Sequence, residues 1–207
     1  AVIEAKKTAV SPDVGRHQAK AYADSLEAKY NQRPLIFYTN GPEIWLWDDA
    51  ANYPPRKVYG YYSTDSLQYQ VAFKRIEKKK LIHEIDIDKS IAGRPYQIES
   101  ITRVAEHFEQ KFTKALVVQA TGTGKTRVAI ALTKLLLEAR WAKRILFLCD
   151  RKELRKQARN AFNEFIKEPM HVVGMSKTSD LFDSRIVVST YPGMMNKFED
   201  LDVGFFD

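Results

Sequence analysis

ALVVQATGTGKTRVAIAL, residues 115–132, sets a short apolar run before a glycine-rich turn and then opens a helical pattern with Lys125 and Thr126. Backbone N–H groups of 122–126 can wrap phosphate oxygens, and the positive end of the following helix favours negative charge there. Lys125 is placed to reach the β- and γ-phosphates of a nucleotide, and the Thr126 hydroxyl to ligate Mg2+. Thr121, Gly122, Thr123 and Gly124 complete the loop. In the general pattern GxxxxGK[ST] the first glycine falls on Gln119, so the match is to the variant with a second glycine at Gly122.

Outward from this loop, 94–207 alternates helix and strand. Ile98, Ile101, Ala105 and Phe108 mark one helix face, and Val128, Leu132, Leu135 and Leu136 another. Leu154, Ala158, Ala161, Phe162 and Phe165 stripe a third. Apolar runs at 115–119, 145–149, 171–174 and 186–190 read as strands. Strands separated by helices imply a parallel sheet wound on both faces. Before Arg94 the rhythm is strand, helix, hairpin, strand, helix. Ser11 is expected to cap a helix with Pro12 in its first position, running to about Tyr30. Asn40-Gly41 predicts a hairpin between two β-rich runs, 58–62 reads as a third strand, and Ser63 caps a further helix. The expected division is 1–80, a linker at 81–93, and 94–207, both domains α/β.

Composition excludes several classes. No apolar stretch approaches the roughly 20 residues needed to span a bilayer, and no secretory leader precedes the first strand, so a cytoplasmic location is expected. The single cysteine, Cys149, sits in the run ILFLC and reads as a core residue without disulfide or metal cluster. Net charge is +7, with 19 Lys and Arg against 14 Asp and Glu in 94–207 and 14 against 12 in 1–93. Eight basic residues face two acidic ones in 140–159, a balance that suits a phosphate backbone.

The chain opens AVIEAKKT. Glu4 and Lys6, two apart on a strand, point to one face. The carboxylate there can hold Mg2+, and the amine can orient or deprotonate water and offset charge on a scissile phosphate. On the next helix Val14, Gln18, Tyr22 and Leu26 lie along one i, i+4 stripe, so Gln18 is expected to interrupt an apolar face.

EAK on a strand with QxxxY on the next helix resembles the PD-(D/E)xK nuclease domain of the RecB-like branch. Arg94-Pro95-Tyr96-Gln97 with the phosphate loop resembles superfamily 2 helicases and translocases, whose glutamine at this place bonds the adenine edge. ILFLCDRKEL and IVVSTY resemble two motifs of the same group that touch the nucleic-acid backbone. By that resemblance Gln97 selects ATP, while Arg151, Ser189 and Thr190 hold DNA phosphates without reading bases. In this order the modules resemble one family, the restriction (R, motor) subunit of type I restriction endonucleases.

The resemblance implies a partial PD-(D/E)xK nuclease-like α/β domain followed by a partial RecA-like P-loop domain. It implies Glu4, Lys6, Gln18 and Tyr22 as the nuclease site, with Glu4 and Thr126 as the Mg2+ ligands. It also implies ATP-driven movement along double-stranded DNA, with methyltransferase (M) and specificity (S) subunits as partners. An aspartate-bearing strand is expected before Ala1 and an Asp-Glu pair after Asp207, so the chain is expected to be truncated at both ends and inactive alone. A repair or remodelling translocase without nuclease activity would share everything after Arg94 but leaves EAK and QxxxY without a purpose. A small P-loop kinase would leave RPYQ and the Ser-Thr strand end unexplained.

Overall fold

The computed structural model describes residues 1–81 and 84–207, which fall into two units. One comprises Ala1–Glu77 with Asp202–Gly204, the other Lys78–Leu201 with Phe205–Asp207.

In the first unit, β1 (Val2–Ala5), β2 (Ile36–Thr39), β3 (Ile44–Trp47) and β4 (Arg56–Val58) form a sheet in that order. β1 runs parallel to β2, which requires the crossover helix α1 (Asp13–Tyr30), whereas the later pairs are antiparallel. Side chains alternate across the pleat. Ile36 and Tyr38 pack with Val2, Ala19 and Ala23 under α1, while Leu35 and Phe37 pack with Leu46 and Val58 on the other face. Because both faces are covered, IFYT is buried throughout. The expected hairpin forms at Asn40-Gly41, where Gly41 adopts φ +95 and the Asn40 side chain accepts the Glu43 N–H at 3.0 Å. The strand expected at 58–62 lies earlier, as β4, which ends at Val58, and Tyr59 is 90% exposed. Pro12, not Ser11, occupies the N-cap of α1, with no side-chain cap. Ser63 caps α2 (Thr64–Gln68) as expected, and a π-helical turn at Tyr69–Lys74 leads into α3 (Arg75–Glu77).

The second unit holds α4 (Pro95–Glu109), α5 (Lys125–Glu138), β5 (Ile145–Cys149), α6 (Lys152–Phe165), β6 (Met170–Val172), β7 (Ile186–Thr190) and α7 (Tyr191–Met195). Its sheet is parallel throughout, in the order β5-β7-β6. Central β7 is wholly buried, with Ile186 and Val188 in a core shared with α5 and α6 and Val187 in a second core with Leu181 and Phe205. The strand expected at 115–119 is absent from this sheet. A strand needs a ladder, and no described segment pairs with this one, so Leu116 and Val118 stand 89% and 85% exposed. The units part at Glu77/Lys78, inside the expected 1–80 domain. Within the expected linker, Ile91 and Ala92, with Leu81, are buried in the second unit's main core, so 81–93 carries core residues. Two of its positions, Ile82 and His83, lie outside the described residues.

Candidate functional site

Two constellations stand out, one in each unit. In the first, Glu4 leaves β1 on the face covered by α1, and Lys6 follows on the same side, its own N–H still donating to the Thr39 carbonyl at 2.8 Å. The Lys6 ammonium lies 2.8 Å from Glu4 Oε1 and donates to Gln18 Oε1 at 2.7 Å. Gln18 Nε2 in turn donates to the Tyr22 hydroxyl at 2.6 Å. All four residues expected at this site therefore form one chain of polar contacts. The Glu4 and Lys6 side chains are 13% and 25% exposed, so their charges are partly withdrawn from water.

The helix face differs from expectation. α1 buries Gly15, Ala19 and Ala23, one position away from the expected stripe, while Val14 and Tyr22 are 63% and 46% exposed. Gln18 thus lies on an exposed flank. Alanine and glycine let helix and sheet approach closely, and the larger Val14, Tyr22 and Leu26 gave the stronger sequence signal while flanking the contact.

In the second unit the turn before α5 is shaped by Gly122 at φ +80 and Gly124 at φ +85, a left-handed region that favours glycine. Among the described residues, the backbone N–H groups of Gly122, Thr123, Gly124, Lys125 and Thr126 have no acceptor. They precede a 14-residue helix whose positive end adds to them. The Lys125 ammonium rests on the loop's own carbonyls, Gln119 at 3.3 Å and Ala120 at 3.2 Å. Thr121 and Thr126 are exposed. A Cβ at Gly122 would meet nothing within 4 Å, so the cradle opens outward. Unpaired donors, an exposed cation and open space fit a polyphosphate.

Gln97 is 3% exposed and sits beneath this loop. Its Nε2 donates to the Thr123 carbonyl at 2.8 Å, and its Oε1 accepts the Arg94 N–H at 3.2 Å. Tyr96 also donates to the Thr123 carbonyl, and Arg94 donates to the Tyr96 hydroxyl. A Cβ on Gly124 would fall 2.5 Å from Gln97 Nε2, so glycine is needed there for space as well as for φ.

The positions expected to meet DNA divide. The Arg151 side chain is 77% exposed at the C-terminal end of β5 and pairs with Asp150 at 3.5 Å. Ser189 is fully buried and donates to the Thr190 carbonyl, while Thr190 Oγ1 accepts the Gly193 N–H and so caps α7. Both hydroxyls therefore already have partners inside the unit. The basic cluster is also split by β5, since Arg140, Lys143 and Arg144 precede the strand while Arg151, Lys152, Arg155, Lys156 and Arg159 follow it. Cys149 is half-buried, its thiol donating to the Ser189 carbonyl at 3.3 Å, and burial pushes its pKa up.

Among the described residues no group of three His, Cys, Asp or Glu side chains converges as a metal site. Mg2+ commonly takes one or two protein oxygens and completes its shell with water and phosphate. Glu4 at the first site and Thr126 at the second can each supply one such oxygen.

Residues 90–207 match the family model described as "Type III restriction enzyme, res subunit". The chain belongs to this restriction-subunit family. Relatives with similar sequences are endonuclease subunits of type I restriction enzymes. EcoAI from Escherichia coli is 29% identical across 80% of this chain and 21% of its own length. EcoKI from E. coli K12 is 42% identical across 34% of this chain and 6% of its own. SauCOLORF180P from Staphylococcus aureus COL is 27% identical across 60% of this chain and 13% of its own. A solved fragment assigned to the HsdR subunit of a type I enzyme from Vibrio vulnificus YJ016 aligns with all of this chain and 38% of its own, at TM-score 0.45 and 25% identity. The chain therefore spans a small part of the curated restriction subunits it matches. The family match and the curated relatives bear out the resemblance to the type I restriction subunit drawn from the sequence. The family match lies in the part that holds the phosphate loop, so the Glu4 constellation rests on its own geometry.

Proposed function

We propose that this chain carries parts of both machines of a type I restriction subunit: a PD-(D/E)xK nuclease-like α/β domain over 1–80 and, beyond 81–93, a RecA-like ATPase domain over 94–207. The observation that carries the nuclease half is the Lys6 ammonium, held between the Glu4 carboxylate and the Gln18 amide with Tyr22 behind. A charge so placed offsets the negative charge that builds on a scissile phosphate, and Gln18 fixes where it stands. Glu4 supplies one oxygen toward Mg2+. In hydrolysis the oxygen of water joins phosphorus, the bond to the leaving sugar oxygen breaks, and that oxygen takes up a proton.

In the second domain the free N–H groups of 122–126 and Lys125 take the β- and γ-phosphates of ATP, and Thr126 offers its hydroxyl to Mg2+. Gln97 and Tyr96 hold the loop from below through Thr123, Gln97 with adenine specificity in view by family resemblance. Arg151 contacts the DNA backbone, and Ser189 and Thr190 shape the adjacent strand end. Mg2+, when bound at either site, neutralises charge on phosphate oxygens. The assembled enzyme includes methyltransferase and specificity subunits, acts on double-stranded DNA and works in the cytoplasm.

The test uses the full-length subunit in its complex. Lys6→Ala stops DNA cleavage while ATP-driven translocation continues, whereas Lys125→Ala stops ATP hydrolysis and with it both movement and cleavage. Cleavage that survives Lys6→Ala removes the nuclease assignment.

A further inference from the structure

Gly15 stands in the first turn of α1, buried against the strand that carries Glu4. It is not among the residues with positive φ, so its backbone would accept any L residue. What it lacks is room. A Cβ at Gly15 would lie 3.0 Å from Glu4 Cγ, 3.3 Å from Lys6 Cε and 3.4 Å from Lys6 Cγ. One methyl group would therefore press on both members of the pair at once.

Neither member can yield without losing a contact. Lys6 is held by Glu4 at 2.8 Å and by Gln18 at 2.7 Å, so a shift of a few tenths of an ångström lengthens a hydrogen bond on one side or the other. Alanine is also the better helix former, which makes glycine at this place an unfavourable choice for the helix itself. Contact with the sheet does not by itself call for glycine, since Ala19 and Ala23 lie fully buried along the same face.

We infer that Gly15 is a positioning residue for the proposed cleavage reaction: its missing side chain sets where the Glu4 carboxylate and the Lys6 ammonium stand. The inference rests on the nuclease reading above and adds to it the residue that fixes the geometry of the pair.

The experiment compares Gly15→Ala with Ala19→Gly, which loosens the same helix face away from the pair, in the full-length subunit within its complex. Three quantities are read: melting temperature, affinity for Mn2+ alone by electron paramagnetic resonance with the Glu4→Ala signal subtracted, and single-turnover DNA cleavage. Gly15→Ala melts no lower than the parent, yet its Mn2+ affinity or its cleavage falls about tenfold, the size seen when supports of metal-site ligands are altered. Ala19→Gly lowers the melting temperature and leaves the other two unchanged. If Gly15→Ala keeps both Mn2+ affinity and cleavage, or loses them only together with melting temperature, glycine is there for packing and the inference is overturned. Cleavage persisting in Lys6→Ala overturns the nuclease reading itself, whatever Gly15→Ala does.

Discussion

Gln97 uses both ends of its amide, one on the Arg94 N–H and the other on the Thr123 carbonyl, while 3% exposed. Removing such a group leaves the Arg94 N–H without its partner and the Thr123 carbonyl with the Tyr96 hydroxyl alone, in a place water reaches poorly, at a cost of about 1–3 kcal/mol. Gln97→Ala is therefore expected to lower the stability of the second unit by about that amount and to weaken ATP binding by loosening Thr123. Gln97→Glu is expected to be worse, because a carboxylate keeps the acceptor for Arg94 but sets negative charge against the Thr123 carbonyl. Urea unfolding and a nucleotide titration of the two variants check both statements, and a Gln97→Glu protein as stable as the parent refutes the second. Gln97 could be singled out from the spacing of RPYQ, but its partner could not. That contact joins positions 26 residues apart and depends on how α4 packs beneath the loop.

Regular elements were legible where local chemistry and packing agree. The hairpin at Asn40-Gly41, the Ser63 cap and the strands β5 and β7 form where the sequence places them, because turn geometry, capping and apolar runs are short-range signals. The face of α1 and the missing strand at 115–119 were not legible, since each depends on what lies alongside. Arg33 is a further case. It pairs bidentately with Asp49 and reaches Asp24 and Glu27 on the last turns of α1, its side chain 9% exposed and that of Asp49 13%. Arg75 meanwhile holds Asp48 and donates to the Arg33 carbonyl. Arg33→Ala leaves a mostly buried carboxylate alone, so a loss of about 3 kcal/mol is expected. Arg33→Lys, lacking the planar fork, recovers only part of it in urea unfolding. In the second unit, burial on β6 holds the His171 imidazole below its ordinary 6.5, with Asp180 opposing and Lys197 reinforcing the shift. A depressed folded-state pKa means the unfolded chain takes up the proton first. Stability is then intact above pH 6.5 and declines as pH falls below it. Melting curves from pH 7.5 to 5.5 are expected to show this decline in the parent and less of it in His171→Asn.

At the scale of the whole molecule, the change of rhythm near Arg94 revealed two kinds of architecture, but not where one unit ends. The stretch 81–93 read as a linker, yet Ile91 and Ala92 are buried in a core with Val128 and Leu135. Sparse apolar residues become core when helices on either side cover them, and composition does not report that. The three tryptophans divide between the units, Trp45 and Trp47 in the first and Trp141 in the second. Each unit has its own apolar clusters, so a ligand of one is expected to stabilise that one directly. ATP with Mg2+ at a hundredfold excess over its Kd stabilises the folded form it binds by about 2.7 kcal/mol. With Trp45→Phe/Trp47→Phe, fluorescence follows Trp141 alone, and the urea midpoint should rise on adding ATP and Mg2+. With Trp141→Phe, the remaining pair should report a smaller rise, because the phosphate loop belongs to the other unit. Lys125→Ala should erase the shift seen by Trp141. A shift registered by Trp45 and Trp47 and missing at Trp141 would move nucleotide binding out of the phosphate loop.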